Sequence, residues 1–481
     1  VIPSWWVIII MKSTLFTALT VLVNALFIVQ TTGACAPKTF NNPILYEDFP
    51  DNDVSVGPDG AFYFSASNFH YSPGAPILRS YDLVDWEFVG HSIPRLNFGD
   101  GYDLPPTGQR AYRAGTWAST LRYRKSNGLW YWIGCTNFWI TWVFTAPSPE
   151  GPWTQAANFG GGVCFYDNGL LIDDDDTMYV VYTYDGGKQV NVTQLAPDGL
   201  STVHTQKVLT PDQVGADSVE GNRMYKINGL YYILNDHPGS TAYVWKSASP
   251  WGPYEGKPLA SNVPSPVPGG GSPHQGSLIQ TQKGDWYFMS FTWAFPSGRL
   301  PVLAPIQFQP DGFPVLITTN TTATNAWGAS YPLPLPPKPL HFNWSRTHYP
   351  FSSLPSLPPT FEWNHNPDTS KFSLVPGAEG GLTLSTASVT TDLYAARNTL
   401  THRVHGEFPS ATLELDYASM ADGDRAGLAV FRDRSAYIGV HRTGDNKYEV
   451  VVVHNMTIDE WSGGTTGLGQ VVDSVELAGL G

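Results

Sequence analysis

Charge is scarce in this chain. Of 481 residues only 14% are Asp, Glu, Lys or Arg, the same share as Phe, Trp and Tyr together. The few charges are lopsided, 27 basic against 41 acidic, and give a formal net charge of −14 with no basic run. That leaves no electrostatic footprint for nucleic acid. Cysteine is nearly missing, with three in all. The one notable apolar stretch, Leu15 to Val29, is short and interrupted by Thr and Asn, so it argues against a membrane anchor. The glycine-rich Gly269 to Gly276 carries no Gly-Lys-Ser/Thr, which excludes a phosphate loop.

What is present is aromatic and β-forming. Residues 11 to 36, with Met11-Lys12, the apolar stretch and small residues around Ala34-Cys35-Ala36, read as a secretory signal, so a secreted, extracellular protein is expected. Residues 1 to 10 precede the initiator-like Met11 and are set aside as a non-native leader. The sequons Asn191-Val-Thr, Asn320-Thr-Thr, Asn343-Trp-Ser and Asn455-Met-Thr suit that compartment. Loss of Cys35 with the signal would leave Cys135 and Cys164, as a disulfide or as two buried thiols.

A short pattern recurs. Gly60-Ala-Phe-Tyr63, Gly128-Leu-Trp-Tyr131, Asp176-Thr-Met-Tyr179 and Gly284-Asp-Trp-Tyr287 each set an aromatic or Met before Tyr, just after a turn residue. Asn228-Gly229 followed by Tyr231-Tyr232 makes a fifth hairpin. The tyrosines fall 68, 48, 53 and 55 residues apart, a spacing that predicts four-stranded propeller blades. Twelve residues before Tyr63, Tyr179 and Tyr232 stand Asp51, Asp167 and Glu220. His274 lies thirteen before Tyr287, and Trp117 fourteen before Tyr131. Equivalent blades would set all five at the starts of the innermost strands, around one axis. Asp48 and Asp53 are alternatives to Asp51.

Other stretches take secondary parts. Phe69, after the first hairpin, is a candidate apolar floor, and Arg299, after the last, can reach over the mouth. Asp173 to Asp176 reads as a hairpin turn, with calcium as the minor reading. Residues 38 to 317 are expected to form the propeller and 318 to 340 a Pro-rich extended spacer. Residues 341 to 481 are expected to form a second β-rich domain, a sandwich. Its candidate strands lie at Leu382 to Ser385, Ala411 to Leu415, Gly427 to Phe431, Tyr437 to Val440 and Tyr448 to Val453.

Carboxyl groups facing one sugar-sized mouth are the equipment for glycosidic cleavage. One donates a proton to the leaving oxygen and another activates water. A separation of about 6.5–9.5 Å implies inversion and about 5–5.5 Å retention. Asp51, Asp167 and Glu220 supply the groups. With Asn42-Pro-Ile-Leu, Phe49-Pro-Asp51 and Val219-Glu220-Gly, the chain resembles glycoside hydrolase family 43, the inverting α-L-arabinofuranosidases and β-xylosidases on five-bladed propellers.

The resemblance implies Asp51 as general base, Glu220 as general acid and Asp167 as the residue that raises and orients the acid. It implies sugar contacts at Phe69, Trp117, His274 and Arg299. It implies no required cofactor or metal, while leaving a Ca2+ near His274 open. Asp51-Asn-Asp and Asp167-Asn-Gly depart from the family's usual Asp-Pro-Ser. The second domain resembles the C-terminal sandwich of longer members, though shorter, which suggests truncation. Tyr71 to Leu78 and the Asp173 run look closest to fungal arabinoxylan-debranching arabinofuranosidases. The expected substrate is arabinoxylan or xylo- and arabino-oligosaccharides. The alternatives are a β-xylosidase with the same machinery and a non-catalytic sugar-binding propeller. Oligomeric state is not legible.

Overall fold

The computed structural model describes residues 38–159, 162–320, 325–338, 348–444, 447–459 and 461–477. The expected leader and signal and the Asn343 sequon lie outside them. Among the described residues the only helical segments are short 3-10 turns, and no helix is long and apolar enough to cross a membrane.

The Asn228-Gly229 turn shows how the sequence builds its sheets. Both residues are left-handed, at φ 51° and 80°, and Ile227 pairs with Leu230 across the turn. This is the mirror-image geometry that matches strand twist. Between Asp53 and Leu316 such turns organise five antiparallel sheets of four strands. Their innermost strands are Asp53–Val56, Ser119–Arg124, Tyr166–Ile172, Glu220–Ile227 and Gly276–Gln280. Each lies beside the innermost strands of the neighbouring sheets, and the fifth lies beside the first. The ring closes as a β-propeller.

The recurring tyrosines are where the blades meet. Tyr63, Tyr131, Tyr179, Tyr232 and Tyr287 are all buried, and apolar clusters between successive blades contain them. Burying such a ring is worth about 1.5–3 kcal/mol, and its hydroxyl can still reach a polar partner. Tyr131 donates to the Asp198 carbonyl at 3.1 Å and Tyr232 to the Gly312 carbonyl at 2.8 Å. The repeat is thus a packing device.

The chain beyond the fifth blade packs back on the propeller. The stretch read as a spacer is not extended free chain: Trp327, Tyr331 and Leu335 are buried in the core shared by blades 1, 4 and 5. Residues Ser330–Pro332 pair with Thr39–Asn41. Asn42 donates from Nδ2 to the Leu303 and Gly328 carbonyls at 2.9 Å each, and its Oδ1 accepts from Leu303 N at 2.8 Å. Proline-rich composition does not report the lack of packing.

Residues beyond 341 also pack with the propeller. Residues Thr39–Glu407, with Ile458–Thr465, form one compact unit. Phe361–Asn364 pairs with Leu400–His402 on one side and with Tyr71–Ser72 of the propeller on the other. The remaining unit includes residues 408–457 and 466–477 and carries a four-stranded sheet. That sheet comprises Arg425–Val430, Arg434–Gly444, Lys447–Asp459 and Gly464–Leu477. The expected strand at 411–415 does not form. Those residues lie outside any strand and are largely exposed, and an alternating pattern without a partner strand makes no ladder.

Of the sequons, Asn191 is buried within Gln189–Leu195, which closes it to modification, while Asn455 is exposed. Cys135 and Cys164 form a disulfide.

Candidate active site

The five residues aligned by counting stand within two positions of the first residue of each innermost strand. Asp51, Trp117 and His274 precede their strands by two residues, Asp167 is the second residue of its strand and Glu220 the first. The backbone there is shaped for display. Asp51 and Asp167 both adopt left-handed φ values, 60° and 49°. This is costly for a non-glycine residue, by about 1–2 kcal/mol, and is held only where the surroundings over-determine it. In the fourth blade the left-handed residue is Gly221, φ 72°, just after Glu220. The third and fourth inner strands carry register shifts next to Asp167 and Glu220. Bulges of this kind re-aim a side chain out of the pleat.

On one side of the mouth lies Asp51. Its Oδ2 accepts from Ser67 Oγ at 2.6 Å, and its Oδ1 pairs with the Arg299 guanidinium. Arg299 sits over the Phe69 and Phe291 rings, 5.7 and 5.4 Å from their centroids. His274 is buried edge-on to Phe291 and Trp293, with Nδ1 2.8 Å from the Ser272 carbonyl. Burial holds its imidazole below the usual range. Four predicted residues, Asp51, Phe69, His274 and Arg299, thus form one wall.

Glu220 has a separate set of contacts. Its Oε2 accepts from Tyr166 Oη at 3.3 Å, and Tyr166 packs against Trp117 and Phe138. Asp167 connects through the backbone: its Oδ2 accepts from Gly221 N at 3.1 Å. The carboxyls also feel one another. Burial, then the Asp51 charge, raises Glu220 above the ordinary carboxyl range. Asp167 is pushed well up by burial, then by Glu220 and Asp51. Asp51 is thus a like charge acting on both Glu220 and Asp167.

The alternatives to Asp51 have other work. Asp53 is fully buried between Arg122, 2.6 Å away, and Arg223, 3.3 Å away. Burial alone would raise it, but the two guanidinium groups outweigh that and hold it low. Asp48 accepts from Arg299 N at 2.7 Å, so it anchors the loop that brings Arg299 in. The Asp173 to Asp176 turn is occupied by the protein's own cations. Asp173 takes Lys226 and Tyr231, and Asp176 takes Arg124.

Residues 40–314 match the family model for glycosyl hydrolases family 43, and residues 349–468 match its β-xylosidase C-terminal concanavalin A-like domain. The chain belongs to glycosyl hydrolases family 43. Among solved structures, a family 43 hydrolase whose engineered active site displays endo-xylanase and exo-arabinofuranosidase activity is 44% identical, at a TM-score of 0.83 over 91% of this chain and 83% of that one. A non-reducing end alpha-L-arabinofuranosidase of Bacteroides ovatus is 32% identical over 305 residues, 58% of this chain and 54% of that protein. A beta-xylosidase of Formosa agariphila is 26% identical over 457 residues, 84% of this chain and 74% of that one. The chain spans about half the length of the Bacteroides relative.

For a family 43 member, this mouth has residues that counting from the tyrosines overlooked. Asp236 is fully buried opposite Glu220 in the ladder, and neither carboxyl oxygen has a hydrogen-bond partner among the described residues. Burial first, then Glu220, Asp167 and Asp51, pushes it well above the carboxyl range. A methyl group on Gly221 would fall 2.1 Å from its Oδ1, which explains a residue without a side chain there. The register shift beside Glu220 hides Asp236: counting outward from Asn228-Gly229 sets His237, not Asp236, opposite Glu220. Arg223, also fully buried, donates to the Asp51 and Asn52 carbonyls at 2.9 and 3.0 Å and so sets the base-side backbone from blade 4.

Among the described residues no three His, Cys, Asp or Glu side chains converge as metal ligands. A cation beside His274 has no such ligand set, and no chemical step is routed through one.

Proposed function

We propose that this chain hydrolyses terminal α-L-arabinofuranosyl residues from arabinoxylan or a related hemicellulose, with inversion at the anomeric carbon. Glu220 protonates the glycosidic oxygen, Asp51 removes a proton from the attacking water, and Asp167 fixes Glu220 through the Gly221 amide. The observation that carries the reading is the contrast between the two carboxyl groups. Asp51 is an acceptor for a guanidinium and a hydroxyl, while burial and the Asp51 charge favour the protonated form of Glu220. A carboxyl that favours its proton suits the acid, and one held as an acceptor by a guanidinium and a hydroxyl suits the base. Phe69, Trp117 and Arg299 would then hold the sugar between them.

Secretion accompanies this reading and is supported by the Cys135–Cys164 disulfide, which belongs to an oxidising compartment. Proton NMR of the sugar as it is released tests the mechanism. Direct formation of the inverted anomer is expected, and retention would overturn it.

A β-xylosidase with the same groups is the second reading, favoured by relatives of both names. Rates on the two 4-nitrophenyl glycosides, α-L-arabinofuranoside and β-D-xylopyranoside, separate them.

A further inference from the structure

Away from the mouth, blades 2 and 3 leave a cavity of about 520 Å3 between their outer strands. Its lining draws on Thr154–Phe159, the outermost strand of blade 2. From blade 3 it draws on the outer three strands, Met178–Tyr184, Gln189–Leu195 and Thr202–Leu209. None of Asp51, Asp167 and Glu220 lines it.

The lining limits what could fill this space. It is aromatic: Phe165 and Tyr182 stack with ring centroids 4.0 Å apart, Phe159 lies 5.3 Å from Phe165, and Tyr184 is 47% exposed. It is also polar, because Asn191, Ser201, Thr202 and Thr205 set an amide and hydroxyls among the rings. It carries no charge, since no Asp, Glu, Lys, Arg or His is among the described residues that line it. A phosphate, carboxylate or amine would meet no counter-charge there. Rings beside amides and hydroxyls, without charge, suit a neutral polyhydroxylated ligand.

Asn191 is the independent sign of a missing occupant. It pairs directly with Tyr182, so both side chains project from one face of the sheet, the face on which Tyr182 packs against blade 2. Neighbouring polar groups are satisfied within the fold: Thr193 Oγ1 lies 2.7 Å from Thr205 Oγ1 and donates to Tyr182 Oη at 3.3 Å. Asn191 is only 8% exposed, yet its Oδ1 has no hydrogen-bond partner among the described residues. A buried acceptor left unpaired is costly to keep. A ligand hydroxyl would supply the donor.

We infer that the cavity between blades 2 and 3 is a second, non-catalytic saccharide site that takes a short neutral oligosaccharide, with Asn191 as acceptor and Tyr184 as its open ring. That the sugar units are pentoses rests on the hydrolase reading above; the neutrality of the ligand does not.

The test is calorimetric titration of the full chain with xylotetraose, in a Glu220→Gln background so that nothing is released. The parent should show a saccharide site that Glu220→Gln/Asn191→Leu and Glu220→Gln/Tyr184→Ala bind about tenfold or more weakly. Tetragalacturonate, a charged oligosaccharide, should leave that site empty, and binding as tight as that of xylotetraose would overturn the neutral-ligand assignment. Alone, Asn191→Leu and Tyr184→Ala should keep aryl-glycoside hydrolysis within about twofold of wild type, which verifies folding and an intact mouth. Asn191→Leu should melt no lower than wild type, because it removes a polar atom that the fold leaves unpaired. A lower melting temperature would assign Asn191 to the fold and overturn the site, as would xylotetraose affinity unchanged in both variants. Titration does not depend on turnover, so a wild type that cleaves neither 4-nitrophenyl glycoside overturns the hydrolase reading alone.

Discussion

Replacing single atoms in the mouth separates the roles assigned to it. Glu220→Gln and Asp51→Asn keep shape and remove one proton-transfer group each. Turnover on arabinoxylan should fall by about two to four orders of magnitude with little change in melting temperature. A near-native rate in either would reassign that residue. Tyr166→Phe makes a finer prediction. The Tyr166 hydroxyl bond favours ionised Glu220 and so lowers its pKa, opposing burial and the Asp51 charge. Without it, Glu220 should stay protonated to higher pH, and the alkaline limb of the kcat/KM profile should move upward. A limb that moves downward, or stays put, would mean that another carboxyl of the coupled set governs it.

Strands and loops show what could be read from the chain and what could not. The blade period was legible because each tyrosine lies between two blades, so packing repeats wherever the sequence does. The positions of Asp51, Asp167 and Glu220 followed from that register. Asp236 was not legible by counting, since the register shift beside Glu220 moves the facing residue from His237 to Asp236. Tyr166 adjoins Asp167, but nothing in the sequence singles out its reach to Glu220.

Arg403 was beyond reach. Its guanidinium donates to the Asp48 carbonyl at 3.0 Å, to Asn68 Oδ1 at 2.7 Å and to Glu362 at 2.9 Å, partners more than 300 residues away in the first two cases. Only tertiary folding makes such a contact. The disulfide belongs to this scale too. It joins Cys135, at the foot of the Phe138 turn, to Cys164, two residues before Tyr166. With a sequence separation of 29, the Cys135→Ser/Cys164→Ser double variant should lose about 3–4 kcal/mol in a denaturant titration. An unchanged midpoint would show that the bridge contributes nothing beyond the surrounding packing.

Across the molecule, the region past residue 341 is more than an appendage. His365 N donates to the His70 carbonyl at 3.1 Å, Trp363 pairs with Ser72, and Glu362 is buried against His91 and Arg403. Truncation after Lys338 should therefore yield a propeller with weakened entry loops around Asp48 and Asn68. The expected result is poor recovery of folded protein or a loss of at least tenfold in kcat/KM. Full activity from residues 38–338 alone would refute this. Composition marks a change of texture near residue 318, but proline content does not report what a segment packs against: Trp327, Tyr331 and Leu335 are buried in the propeller's core.

Every blade is completed by its own strands, so the circle is shut by a fastening, not by an exchanged strand. That fastening is the pairing of Thr39–Asn41 with Ser330–Pro332 and the three hydrogen bonds of the Asn42 amide, and it spans the gap between the fifth blade and the first. The same gap separates Arg299 from Asp51. A molecule that begins to spring open at its weakest joint would part the water-activating carboxylate from its guanidinium while most sheets are still intact. Under gentle urea, catalysis should fade before circular dichroism does.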